Sequence, residues 1–146
     1  MDRLRIAVVG LGRMVRSHML LLSRLFLLTA VKGKRHVQTL INRVPRVQVV
    51  AVCSSDPLEV QWAKDNDEYN EFGITAYANY DKMLAHPGLQ AVWISTSTDV
   101  HASQSLAAIE KGLHVLCEKP LSTDLAEVCD SIFIEPHFPL NYLAKA

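Results

Sequence analysis

The sequence predicts an α/β fold in which a doubly wound parallel sheet is covered by helices on both faces. Two observations carry this. Four runs are apolar almost without alternation, "LRIAVVG" from Leu4, "VQVVAVC" from Val47, "AVWIST" from Ala91 and "HVLCE" from His114. Strands that bury both faces read this way, and helices on both sides of a parallel sheet are what bury them. Between these runs lie segments with helix start and stop signals, the alternation that a parallel sheet requires.

The elements follow in order. The first run is a strand ending in glycines. After the second, "SDPLEVQWAKDNDE" puts Asp56 at an N-cap and Pro57 at the first helical position, which predicts one helix across that stretch. A weaker strand lies near Ile74 to Tyr77, and "NYDKMLAH" is a short helix capped by Asn79. "TDVHASQSLAAIEKG" sets Ala102, Leu106 and Ile109 on one helical face and closes on Gly112, a C-cap glycine. "STDLAEVCD" starts another helix at Ser122 or Thr123.

Length and charge bound the function. A chain of 146 residues makes one core. With 15 basic and 15 acidic residues, bulk electrostatics draws it neither to nucleic acid nor to an anionic membrane. Cys53, Cys117 and Cys129 are odd in number and lack metal-ligand spacing, so no disulfide framework or metal site is expected, and a cytoplasmic, reducing setting fits. The apolar start is too short for a signal peptide, and Met19 to Val31, interrupted by Ser23 and Arg24, falls below the roughly 20 residues of a membrane span.

"VVGLGRM" places Gly10 and Gly12 directly after the first strand. Gly10 permits the tight turn, and Gly12 lets backbone approach a pyrophosphate at the next helix's N-terminus, where free N–H groups favour anions. A structural glycine turn is the alternative. The third small residue of such a fingerprint should follow Met14, but Val15 stands there, and Leu4 to Cys53 spans 50 residues where about 30 are usual. Both faults vanish if the 18 residues Val15–Lys32 are skipped, for Gly33 then becomes the third glycine and the unit shortens to 32 residues. Valine codons begin GT, lysine codons can end AAG, and Leu28-Thr29 can be encoded CTGAC, matching a splice donor, acceptor and branch point. Two readings of residues 15–32 follow: an unspliced intron translated in frame, or a genuine leucine-rich helical insertion that needs a burial partner.

"VWISTSTDVHASQSLAAIEKGLHVLCEKPLSTD" carries the sharper signal: a strand ends in Ser95-Thr96-Ser97-Thr98, a helix starts near His101, and the next strand delivers Glu118-Lys119-Pro120 at its carboxyl edge, where open α/β sheets bind ligands. Together with "RIAVVGLGRM" it resembles the N-terminal Rossmann domain of the glucose-fructose oxidoreductase, inositol dehydrogenase and rhizopine-catabolism family (Gfo/Idh/MocA). The resemblance covers about Leu4–Met14 and Gly33–Asp130.

That resemblance implies an NAD(P)-dependent oxidoreductase acting on CH–OH groups of sugars or polyols. By it, Gly10, Leu11, Gly12, Arg13 and Met14 line the pyrophosphate; Thr96, Ser97, Thr98 and His101 border the nicotinamide half; Glu118 approaches the nicotinamide ribose. Lys119 is the catalytic candidate, pointing toward the substrate hydroxyl, and Pro120 is expected to follow a cis bond that aims it. Bland readings stand beside these: His101 satisfying a local backbone group, Thr96 to Thr98 as turn and cap residues, Lys119 as a surface lysine, Cys117 as a small buried strand residue.

Two departures matter. Family members that prefer NAD carry an acid at the end of the second strand, whereas here Ser54 and Ser55 precede Asp56. A serine does not repel a 2′-phosphate, so NAD and NADP both stay open. After Asp130 the chain diverges, so the Rossmann domain is expected over residues 1–130, with a divergent tail over 131–146. The family's larger catalytic sheet domain is missing, so the expectation is a truncated domain, inactive alone. The alternative is a stand-alone, non-catalytic NAD(P)-binding regulatory module.

Overall fold

The computed structural model describes residues 2–12 and 32–124. Five strands, β1 (Leu4–Val9), β2 (Val47–Cys53), β3 (Thr75–Tyr77), β4 (Ala91–Ile94) and β5 (His114–Cys117), form one sheet in the order β3-β2-β1-β4-β5. Every pairing is parallel. The chain therefore winds outward from β1 in both directions, and the expected doubly wound α/β class is what forms.

Alternation divides the sheet's side chains between two cores. Ile6, Val8, Val49 and Val52 face one side with Val37 and Leu40 of helix α1 (Lys32–Arg43). Ala7, Val9, Val92 and Ile94 face the other, with Met83 and Leu84 of α4 (Tyr80–Leu84) and Ala108 of α5 (His101–Glu110). The register between β1 and β2 shifts at Ile6/Ala7, so Ile6 meets Val49 but Ala7 meets Ala51. Val50 is the extra residue of a bulge, which is why Val50 and Ala51 fall in the same core.

Helix α2 (Pro57–Lys64) starts as its sequence dictates: Asp56 is extended, at φ −85 and ψ 117, and its Oδ1 accepts the Leu58 N–H at 2.9 Å. Asp56→Ala is expected to lower stability by about 1 kcal/mol, read as a shift of the urea midpoint at unchanged slope. The single helix expected across "SDPLEVQWAKDNDE" is in fact two. A second cap intervenes at Asn66, whose side chain accepts the Tyr69 N–H at 3.0 Å and starts α3 (Asp67–Glu71). Asn79 caps α4 in the same manner, accepting from Lys82 N–H at 2.9 Å.

In α5 the buried positions are His101, Ala102, Ser105 and Ala108, while Leu106 and Ile109 are only half-buried. The buried stripe thus runs through small residues, and the expected Ala102–Leu106–Ile109 face is displaced. Gly112, at φ +73, ends the helix, with the Leu113 N–H closing on the Ala108 carbonyl at 3.1 Å. Ser122–Asp124 are not helical; the Ser122 hydroxyl accepts the Asp124 N–H at 3.0 Å. The rest of that expected helix, Arg13, Met14, nearly all of 15–32 and the tail lie outside the described residues; Lys32 opens α1.

Candidate functional site

The site sits at the carboxyl ends of β1, β2 and β4. Gly10 leaves β1 at φ +88, its N–H donating to the Cys53 carbonyl at 2.9 Å. A Cβ there would come within 2.7 Å of the Ser95 carbonyl oxygen, so the turn is closed to any side chain. From the other side Gly33, in the first turn of α1, packs directly on this loop. A Cβ on Gly33 would overlap the Gly10 carbonyl oxygen and lie 3.0 Å from the Leu11 Cα. That close helix-on-strand contact is what the third glycine of a dinucleotide fingerprint supplies. The start of α1 is thereby brought against Gly10 and Leu11.

A cleft of about 1190 Å³ opens beside this turn. Of the expected site residues, Gly10, Gly12, Ser54, Ser55, Thr96 and Ser97 line it. Leu11 does not: the whole residue is 1% exposed and its side chain belongs to the core.

The end of β2 holds a carboxylate that the local sequence conceals. Ser54 is buried, and its hydroxyl donates to Glu59 Oε2 at 2.5 Å while accepting the Asp56 N–H at 3.1 Å. Glu59, from the first turn of α2, reaches back until its Oε1 would overlap a Cβ placed on Gly12. Lys34 lies beside it, with its ammonium 3.4 Å from the centroid of the Trp62 ring. Burial lowers the Lys34 pKa and Glu59 opposes that shift.

The β4 side is built from neutral hydrogen bonds. Thr96 Oγ1 donates to Gln104 Oε1 at 2.7 Å, and the Tyr80 hydroxyl donates to the Gln104 carbonyl at 2.7 Å. Burial raises the Tyr80 pKa above its ordinary value, which keeps the phenol a donor. Ser97 precedes a 3-10 turn, Thr98–Val100, and its hydroxyl holds the Asp99 carboxyl below the usual range. Thr98 opens that turn and does not line the cleft. Burial pushes the Cys53 thiol up to about 11, leaving it a protonated core group. Cys117 is half-buried in the edge strand, and burial raises its thiol too.

His101 is 1% exposed and lies behind the cleft wall. Its Nδ1 is 2.8 Å from the Pro120 carbonyl and its Nε2 is 3.1 Å from the Thr96 carbonyl. It thus lies between the turn after β4 and the turn after β5, within reach of one local and one distant carbonyl, and the tautomer decides which of them receives its N–H. Glu118 continues β5, its N–H donating to the Ile94 carbonyl at 2.9 Å. Its carboxylate lies 3.3 Å from Nε2 of His36, whose ring stacks on Trp93 at 4.2 Å between centroids. Lys119 and Pro120 are joined by a cis peptide bond, as the resemblance implied; both are exposed and stand outside the residues lining the cleft.

Sequence reasoning missed Glu59, Gln104, His36 and Trp93. The sheet order that assembles the last pair, and the backward reach of Glu59, leave no local pattern. Among the described residues, no group of three His, Cys, Asp or Glu is placed to hold a metal ion, and no helix is long and apolar enough to cross a membrane.

The arrangement fits a dinucleotide: a glycine turn that a Cβ would fill, a helix start packed on it, and a polar cleft across the strand ends. The chain is 39% identical over 90 residues to a D-xylose 1-dehydrogenase (NADP(+)) of Haloferax volcanii, a match covering 58% of this chain and 26% of that one. Its fold superposes on myo-inositol 2-dehydrogenase from Lactobacillus plantarum with TM-score 0.68 and 32% identity, covering 90% of this chain and 32% of that one. It superposes equally on scyllo-inositol dehydrogenase from Lactobacillus casei with bound NAD(H) and scyllo-inositol, TM-score 0.68 at 25% identity, covering 89% and 32%. The chain thus spans about a quarter to a third of the length of these relatives. A family model described as an oxidoreductase family with an NAD-binding Rossmann fold matches residues 4–133, and with that match over most of its length the chain belongs to the Gfo/Idh/MocA family.

Proposed function

We propose that this chain is the dinucleotide-binding part of an oxidoreductase that converts a CH–OH group of a sugar or polyol to a carbonyl, and the reverse. The observation that carries the reading is the Gly33–Gly10 contact, which sets the start of a helix against a glycine turn open to a cleft. A nicotinamide ring, when bound, supplies the hydride acceptor or donor.

The chain's own residues divide the remaining work. Gly10, Gly12 and the start of α1 receive the pyrophosphate, and the family resemblance adds Leu11, Arg13 and Met14 to that role. Ser54 and Ser55 face the adenosine end; Thr96, Ser97 and Thr98 face the nicotinamide end, with His101 holding their turn in place. Glu118, steadied by His36, takes the nicotinamide ribose, and Lys119, after the turn at Pro120, moves the hydroxyl proton at its Nζ. The setting is a reducing cytosol, in keeping with the free thiols of Cys53 and Cys117.

Fluorescence titration of the full chain with NADH and NADPH tests this. Saturable binding, competed by the oxidised coenzyme, is the expected result; a chain that binds neither coenzyme overturns it. A second reading, a non-catalytic module that senses NAD(P), is favoured by the exposure of Lys119 outside the cleft lining. Adding inositols and pentoses to the NAD- or NADP-loaded chain tests the second reading: reduction of coenzyme overturns the module, whereas binding without turnover fits both the module and the binding part of a longer enzyme.

A further inference from the structure

We propose that Glu59 is the residue that selects the coenzyme, accepting the 2′-hydroxyl of an unphosphorylated adenosine ribose and turning away a 2′-phosphate. The inference rests on the dinucleotide-binding reading above. In this fold an acid at the end of the second strand receives that hydroxyl. Here the position is Ser54, which by itself leaves the choice of coenzyme undecided. The structure brings a carboxylate to the same place by another route. Glu59 sits five residues further on, in the first turn of α2, and its side chain folds back to accept the Ser54 hydroxyl at 2.5 Å. Its second oxygen stands against Gly12 on the cleft surface. The carboxylate is therefore fixed between the end of β2 and the glycine turn, and Ser54 serves as its anchor.

A 2′-phosphate carries close to two negative charges. Set beside a carboxylate in a partly enclosed cleft it is repelled, whereas a 2′-hydroxyl finds an acceptor. Among the described residues, Lys34 is a cation that bears on this balance. Its ammonium lies over the face of Trp62, where the ring and Glu59 already engage it.

The experiment is a pair of titrations, NADH and NADPH, on the full chain and three variants whose folding is checked by circular dichroism. The wild-type chain is expected to bind NADH at least tenfold tighter than NADPH. Glu59→Gln keeps the bond from Ser54 and removes the charge, so the ratio should fall to threefold or less, chiefly through tighter NADPH binding. Glu59→Asp restores a charge and should retain most of the preference. An unchanged ratio in Glu59→Gln overturns the proposal. So does a wild-type preference for NADPH that collapses in Lys34→Met, which would make the lysine the selecting residue. Failure of the wild-type chain to bind either coenzyme strikes the dinucleotide reading itself, and is distinct from binding without selection.

Discussion

Gly33→Ala is expected to destabilise the chain by about 1–3 kcal/mol and to weaken dinucleotide binding at the same time. The added methyl would overlap the Gly10 carbonyl oxygen, with the Gly10 carbonyl carbon at 2.8 Å and the Leu11 Cα at 3.0 Å. All three obstacles are backbone, so no rotamer change relieves the clash. Relief requires α1 to move off β1, which opens contacts of Val37 and Leu40, both buried in the core. The same movement carries the start of α1 away from the glycine turn. Urea unfolding and NADH titration of one variant read both consequences. A variant with the wild-type midpoint and wild-type affinity would show that α1 does not pack where the overlap places it. Gly73→Ala makes the control, because a Cβ there meets nothing within 4 Å. Its cost comes from the positive φ alone, about 1–2 kcal/mol, and coenzyme affinity should not change.

His101→Ala is expected to cost about 2–4 kcal/mol. The ring is 1% exposed, and its removal leaves a void at the start of α5 and takes the ring N–H from whichever carbonyl it serves, Thr96 or Pro120. Both partners are acceptors, so a neutral ring donates to one of them at a time and the tautomer decides which. Hydrogen exchange separates this tie from simple loss of packing. If the ring joins the two turns, exchange should quicken at Leu121–Asp124, beyond the Pro120 carbonyl, as well as around Thr96. Faster exchange confined to α5 would mean that the ring only fills space.

Much of the architecture was legible because it rests on short-range physics. The unbroken apolar runs at β1, β2 and β4 could bury both faces only inside a covered parallel sheet, and Asp56, Asn79 and Gly112 cap their helices as their side chains or positive φ require. What misled was polarity. Asn66 looks like more of a helix's polar face, yet α2 ends just before it, at Asp65, and its side chain starts α3. Ser105 and His101 do not register on an apolar count, so the buried stripe of α5 was drawn through Leu106 and Ile109. Gly33 was foreseen in the third-glycine place only by setting the intervening residues aside. The partners that shape the candidate site were harder still. Glu59 lies near Ser54 in sequence, but nothing in the order of residues says that its side chain turns backward over Gly12. His36, Trp93 and Glu118 come from three elements, and only the adjacency of β1, β4 and β5 beneath α1 assembles them.

The contact between residues 33 and 10 also determines what residues 13–31 mean for the domain. The path that departs at Gly12 comes back to almost the same point in space, so the excursion is a closed circuit as far as the sheet is concerned. For a flexible connection, entropy of closure rises only by about 0.6 kcal/mol per doubling of length, so the number of residues between two ends fixed this close bears little on the sheet. Lengthening or excising that circuit changes the thermodynamic margin of the domain while its topology stays as it is, and a translated intron and an inherited insertion would leave the same scaffold behind.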